Sequence, residues 1–229
     1  MASADAAPPD LEPVADRLAD RIGGVSTSTL GRLEPARQRL QAVLHQAGAV
    51  DRAVYATIAR VPTPALDVAM RRLSTSANRS VIWLGVAAGL SLTGPSGRRA
   101  AARGLLAVGV TSAAVNLGVK PLSSRRRPDR ADAGVPGERH VSMPSSTSFP
   151  SGHSASAFAF ATAVSRDNPW LAIAIQFLAG GVAYSRVHTG VHYPGDTVVG
   201  ALIGAGTGQA VSSLYDRTFA KPARTVAGA

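Results

Sequence analysis

Three groups of residues in this 229-residue chain hold the side chains needed to grip a phosphate and break its ester bond. The first is Lys120 followed by Arg127 and Pro128. The second is Pro150-Ser151-Gly152-His153. The third is Ser185-Arg186 followed by His192 and Asp196. A lysine ammonium is a point charge for one phosphate oxygen, whereas an arginine offers a planar fork that binds two. Lys120 suits the first role, and Arg127 and Arg186 suit the second. Pro128 stiffens the backbone just after Arg127. With no ligand in mind, Lys120 reads as a lysine snorkelling from the end of an apolar helix, and the basic loop after it as simply solvated.

In the second group Ser151 reads as the N-cap of the helix that follows, and Gly152 lets backbone approach a ligand closely. Free N–H groups at a helix start bind anions, and His153 beside them is placed to give a proton to a departing oxygen. In the third group Asp196 can fix the His192 tautomer and raise its basicity, leaving the other ring nitrogen free to attack phosphorus. Asp196 equally suits helix N-capping of the last apolar run. His188 has no evident partner and reads as structural or peripheral. Arg125 and Arg126 read as contacts to lipid headgroups. A divalent-metal phosphatase site adds several carboxylates. Only Asp196 lies near the histidines in sequence, so no metal and no other cofactor is expected.

The elements that must bring these groups together are apolar runs: Val81 to Leu92, Gly104 to Val119, Ser154 to Val164, Pro169 to Tyr184 and Thr197 to Leu214. Each falls short of the roughly 20 residues of a perpendicular span, and polar flanks extend each to that length. The expected fold is all-α: an integral membrane helical bundle of about five to six short spans, with N-terminal amphipathic helices. The competing reading is a buried helical bundle in a soluble protein. Small residues and the Gly200–Gly204 pair favour close packing in lipid. Five passes after Val81 would put Arg98, Arg99, Arg103, Arg166, Arg217, Lys221 and Arg224 on one side, the cytoplasmic one. The three groups would share the outward side. The Arg-rich stretch Pro121 to Pro150 lies there too, against the charge rule, and a phosphate supplies a local reason for it.

Composition narrows the function. Charged residues are 17%, below the roughly 25% of soluble domains. The net charge of +10 suits nucleic acid, anionic lipid or an acidic substrate. With 5% aromatics, and charge lying in short loops between apolar runs, nucleic acid is not expected as a partner. The absence of cysteine excludes disulfides and thiolate chemistry. Met1 to Asp20 is acidic, and no cleavable signal peptide is expected from it. Residues 1–48 read as a flexible N-terminus and an amphipathic helix, 49–217 as the membrane-embedded catalytic domain, and 218–229 as a basic tail. Met1 to Pro13 is expected to be disordered, and Leu18 to Arg60 to form one or two helices. There Leu33, Leu40, Val43 and Leu44 oppose Arg32, Arg37 and Arg39. Val50 to Val61 reads as a weak first span or a second interfacial helix. Small-residue faces permit a dimer without requiring one.

In order and complete, the three groups resemble the signature of the type 2 phosphatidic acid phosphatase superfamily, which also includes vanadium haloperoxidases and bacterial acid phosphatases. The resemblance runs from Lys120 to Asp196. It implies a helical bundle with its site at the outer membrane–water boundary of the cell membrane. It further implies His192 as the nucleophile that forms a phosphohistidine, Asp196 as its orienting group, and His153 as general acid and then activator of water. Lys120, Arg127 and Arg186 would clamp the phosphate, helped by Ser151 and the Gly152 N–H. The substrate class is a membrane lipid phosphate: a polyprenyl diphosphate, a polyprenyl-phosphate sugar phosphate, phosphatidylglycerol phosphate or phosphatidic acid. Specificity is expected in the Pro121 to Phe149 loop and the helix faces below the site. The rival readings are a vanadium-dependent haloperoxidase and a non-catalytic membrane lipid-binding protein.

Overall fold

The structure is a computed structural model, which describes residues 27–166 and 169–219. Met1 to Pro13, Leu18, the side chains of Arg32 and Leu33, and Lys221 and Arg224 of the tail lie outside the described residues. Among those described there are seven α-helices and no strand. They are α1 Thr27–Arg60, α2 Pro64–Ser76, α3 Val81–Ser91, α4 Pro95–Ala113, α5 Gly152–Val164, α6 Pro169–His188 and α7 Pro194–Phe219.

The centre is α5. Ala155, Ala157, Ala159, Phe160, Ala161 and Ala163 are all fully buried, so this 13-residue helix is enclosed by its neighbours on every side. That explains its lack of a polar face. Phe160 meets Trp83 of α3 with ring centroids 5.2 Å apart, and Val164, Ile175, Ala179 and Val182 complete the core. The closest packing is between α5 and α7. Gly200, Gly204 and Gly208 form a ridge at intervals of four on α7. A Cβ on them would lie 2.5, 2.1 and 2.6 Å from the carbonyl oxygens of Ser151, Ala155 and Ala159. The glycines therefore let the two backbones touch, and the expected pair extends by one more turn.

The five helices α3 to α7 alternate in direction. At one end Arg103 of α4 donates to the Ala163 carbonyl at the end of α5 and pairs with Asp216 of α7 at 2.9 Å. Arg166 pairs with the same carboxylate at 2.7 Å. Arg103, Arg166 and the Asp216-Arg217 pair thus share an end, as the loop charges suggested. Asp196 lies twenty residues earlier on α7, about 30 Å away at the rise of an α-helix and close to the thickness of bilayer hydrocarbon. Among the described residues three helical segments are long and apolar enough to cross a membrane: Pro95–Leu122, Trp170–His188 and Pro194–Phe219.

Two readings of the N-terminal region change. Val50 to Val61 is not a separate helix, since α1 runs unbroken from Thr27 to Arg60, through residues 48 and 49. Its last turns bury Tyr55 and Ala59 against Val135 and Val187. Leu40, Val43 and Leu44, further up the helix, are exposed. The sequence reading also passed over α2. It starts with Pro64 in the first turn, where a missing N–H costs nothing. Its Asp67 carboxylate is buried between Arg139 and His188, each at 2.8 Å. Burial alone would raise the Asp67 carboxyl, but hydrogen bonds from Thr63 and His188 and the charge of Arg139 outweigh it and hold it below its usual range. His188 therefore has a defined partner and a structural role, pinning the end of α6 to α2.

The glycine ridge yields a prediction. Gly204→Ala forces a methyl into the Ala155 backbone and should destabilise the detergent-solubilised protein by about 1–3 kcal/mol. Gly206→Ala, on the same helix with nothing within 4 Å of its added Cβ, should leave the melting temperature unchanged. Equal melting temperatures for the two variants would contradict the packing described.

Candidate active site

The end of α4 winds through a π turn, Ala114–Val119, into a 3-10 turn that begins with Lys120. The Lys120 ammonium donates to Ser146 Oγ at 3.1 Å, and a Cβ on Gly152 would lie 3.9 Å from it. Arg127 returns over the same place. Its guanidinium donates to the carbonyls of Ser146 at 2.9 Å, Val191 at 2.8 Å and Thr147 at 3.1 Å. With so many anchors its position is fixed before any ligand arrives. Its Nη1 also lies 3.1 Å from His192 Nε2.

Ser151 caps α5, its buried hydroxyl accepting from the Ser154 N–H at 3.4 Å and from the Ser154 hydroxyl at 3.0 Å. The Ser151 N–H donates to the Asp196 carbonyl at 2.9 Å, which joins the second group to the third. His153 follows, its Nε2 3.0 Å from Asn78 Oδ1. A histidine N–H donates to an amide oxygen, so Nδ1 is the ring nitrogen left for proton transfer.

The third group is shaped by two helix ends. Gly190 N–H donates to Val187 O and Val191 N–H to Arg186 O, with Gly190 at φ +70°. This is a Schellman motif, and the left-handed position falls to glycine. Four residues after Gly190, Pro194 opens α7 and Asp196 reaches back to accept from the Tyr193 N–H at 3.0 Å. Asp196 is thus not the N-cap itself but the reciprocal partner three positions inside. The same carboxylate accepts from the Ser148 hydroxyl and faces His192 Nδ1 at 3.4 Å. Arg127 can only donate, so His192 Nε2 accepts and Nδ1 carries the proton toward Asp196.

Arg186 is 1% exposed. Its Nη1 donates to Ser74 Oγ at 2.6 Å, while its Nε finds no hydrogen-bond partner among the described residues. A buried guanidinium N–H without an acceptor is costly, and a bound anion would remove that cost. The electrostatics agree. Burial, then the charges of Arg186, His192, Lys120 and Arg127, pull His153 down to about 3. Burial also pulls His192 down to about 4; Asp196 works against the shift, and Arg127 and Arg186 add to it. Both rings are neutral at pH 7. His192 is then in the form that attacks an electrophile. All eight residues expected of a site, Lys120, Arg127, Ser151, Gly152, His153, Arg186, His192 and Asp196, come together here. Among the described residues no cluster of three or more His, Cys, Asp or Glu side chains is arranged to hold a metal ion.

The PAP2 superfamily model matches residues 101–220. The chain belongs to the PAP2 superfamily. It is 35% identical over 140 residues to the decaprenylphosphoryl-5-phosphoribose phosphatase of Mycolicibacterium smegmatis, covering 60% of this chain and 72% of that protein. It is 38% identical over 96 residues to the enzyme of the same name from Mycobacterium tuberculosis, 42% of this chain. The match spans about half of that relative, 51% of its length. Two solved PAP2 structures share the fold. One is the transmembrane PAP2-type phosphatidylglycerolphosphate phosphatase of Bacillus subtilis, with a TM-score of 0.60 and 24% identity over 78% of this chain and 90% of that one. The other is LpxE of Aquifex aeolicus, with a TM-score of 0.57 and 24% identity over 70% and 93%.

Sequence reasoning missed the residues that stand behind this candidate site. Arg125, read as a headgroup contact, instead points inward. Its Nη1 binds Asp196 Oδ1 at 2.8 Å, its Nη2 binds Asp51 of α1, and its guanidinium lies 4.5 Å over the Tyr193 ring. Asp51 in turn accepts from the Gly195 N–H at 2.6 Å. Nothing in the spacing announces this pairing, because Asp51 is 74 residues from Arg125. Arg125→Gln should lower turnover of a phosphate ester by about tenfold or more, roughly 1.4 kcal/mol of barrier, by releasing the carboxylate that faces His192 Nδ1. Arg126→Gln, at an exposed neighbour, should leave it unchanged. Equal kcat values for the two variants would contradict the assignment.

Proposed function

We propose that this protein is a metal-independent membrane lipid-phosphate phosphatase acting through a phosphohistidine. The observation that carries the reading is the buried Nε of Arg186, without a partner among the described residues, in a space shared by Lys120, Arg127 and two neutral imidazoles. The phosphate of the substrate takes the three cations and the helix start at Gly152, with the Ser151 hydroxyl proton free to help. His192 Nε2 attacks phosphorus, and the P–O bond to the lipid breaks. His153 gives its proton to the departing oxygen. It then takes a proton from water as that water's oxygen attacks the phosphohistidine, releasing inorganic phosphate and restoring His192. Cations already neutralise the charge that a metal would otherwise meet.

The catalytic unit is residues 49–217, with the N-terminal segment and the tail as adjuncts. The alternation of α3 to α7 and the cluster of Arg103, Arg166 and Arg217 support five passes, with the basic end in the cytoplasm and the site at the extracytoplasmic surface of the cell membrane. The named activity of the mycobacterial relatives favours a polyprenyl-phosphate sugar phosphate among the candidate substrates.

Protein purified in detergent with EDTA should release phosphate from such a lipid, and His192→Ala should abolish release. Arg186→Ala should lower kcat/KM by about a hundredfold or more, the scale for losing one preorganised charge donor. Activity that requires an added divalent cation, or that survives His192→Ala, would refute the proposal. A pH-linked test follows from His153. Burial, and then the surrounding cations, hold its pKa down. A bound anion offsets the cations' part and raises the pKa, so binding takes up a proton. Calorimetry of inorganic phosphate binding at pH 7 in buffers of different ionisation enthalpy should show more proton uptake for wild type than for His153→Ala. Equal uptake in the two would contradict this assignment.

A further inference from the structure

Beside the site lies a surface cavity of about 470 Å³, within the range of small-ligand pockets. Its wall carries Arg71, Arg72, Thr75 and Ser76 of α2, then Asn78 and His140. Two connections tie it to the phosphate cradle. Asn78 lines the cavity and holds His153 Nε2 at 3.0 Å. Ser74, on the same helix as Arg71 and Thr75, holds Arg186 at 2.6 Å.

Its position fixes which part of a substrate it can meet. His153 gives its proton to the departing oxygen, so the group attached to that oxygen lies on the His153 side of phosphorus. Asn78 and the cavity are on that side. Arg71 and Arg72 are exposed, and neither forms an ion pair among the described residues. Asn78 accepts from His153 through its oxygen and keeps its amide N–H groups as donors. His140 is occupied at Nε2 by the Val135 carbonyl, 3.1 Å away, leaving Nδ1. The backbone also bears on the point: Arg79 and Ser80 follow with φ of 51° and 61°, left-handed conformations that non-glycine residues avoid. Such strain concentrates where a structure holds a functional group in place.

Resting on the phosphatase reading, the geometry points to this cavity as the site for the leaving group, and to a leaving group that is itself an anionic sugar: a pentose-sized polyol whose own phosphodiester pairs with Arg71 and Arg72. A single phosphate would leave most of the volume empty. A diacylglycerol leaving group would present no charge to two unpaired guanidinium groups. Specificity then lies chiefly on α2 and the turn at Asn78, with the long loop adding only His140 and its neighbours.

The test compares three lipids on the full-length protein in detergent: a polyprenyl-phosphoryl-ribose 5-phosphate, a polyprenyl diphosphate and phosphatidic acid. The double variant Arg71→Gln/Arg72→Gln should lose about tenfold or more in kcat/KM on the ribose lipid, through KM. On phosphatidic acid it should stay within about twofold. Arg71→Lys/Arg72→Lys should recover part of the loss, and melting temperatures should match wild type because both positions are exposed. The inference is overturned by parallel losses on all three lipids, by no loss on the ribose lipid, by a loss confined to the diphosphate, or by a wild type that leaves the ribose lipid uncut. A wild type that releases phosphate from none of the three sinks the phosphatase reading, and this inference with it. Wild-type activity with unselective variants sinks this inference alone.

Discussion

Positive charge gathered around one small volume is the constraint that the rest of the structure serves. Lys120, Arg127 and Arg186 approach each other with two imidazoles between them. The carboxylate that faces His192, Asp196, is already shared with Arg125. Like charges at such range repel, and more strongly where water is excluded. The scaffold resists that repulsion with neutral acceptors. Carbonyls of Ser146, Thr147 and Val191 hold Arg127, Ser74 holds Arg186, and Ser146 holds Lys120. None of these cancels a charge, so the site keeps its appetite for an anion.

Holding the cradle open requires a rigid floor, and the α5–α7 contact supplies it. Glycines at every fourth position of α7 put its backbone against that of α5. Both helices begin at the site: Gly152 and His153 open one, and Asp196 stands in the first turn of the other. The Ser151 N–H to Asp196 carbonyl bond locks those two starts together. A shift in helix packing would therefore be felt at both imidazoles. The buried Asp67–Arg139–His188 cluster does the same for α2 and α6, steadying Ser74 under Arg186.

The parts legible in the sequence were those in which one short segment carries both the chemistry and its support. Pro150-Ser151-Gly152-His153 announces a capped helix start, and His192 with Asp196 announces an oriented imidazole. The apolar runs located all five later helices and nearly bounded Val81–Ser91 and Gly152–Val164, but Pro95–Ala113 begins nine residues before its run and Pro194–Phe219 ends five residues after its own, because polar residues continue both helices. What escaped notice depends on distant partners. Asp51, Asp67, Ser74 and Asn78 lie more than forty residues before the first signature lysine, and each looks ordinary in its local context. Arg125 was misread for the same reason: its two carboxylates come from opposite ends of the chain. The helix α2 was missed because two of its polar residues, Asp67 and Ser74, are the ones it buries, and their partners Arg139, His188 and Arg186 lie far along the chain.

The central claim is that separate segments form one prepaid anion cradle between His153 and His192. Its most direct test is the structure of the protein with orthovanadate, which mimics phosphate at the moment of transfer. The account requires vanadium bonded to His192 Nε2, vanadate oxygens within hydrogen-bond reach of Arg186 Nε, Arg127 and Lys120, and an apical oxygen facing His153. Vanadate bound elsewhere, or an Arg186 Nε still without a partner when the site is full, would contradict it.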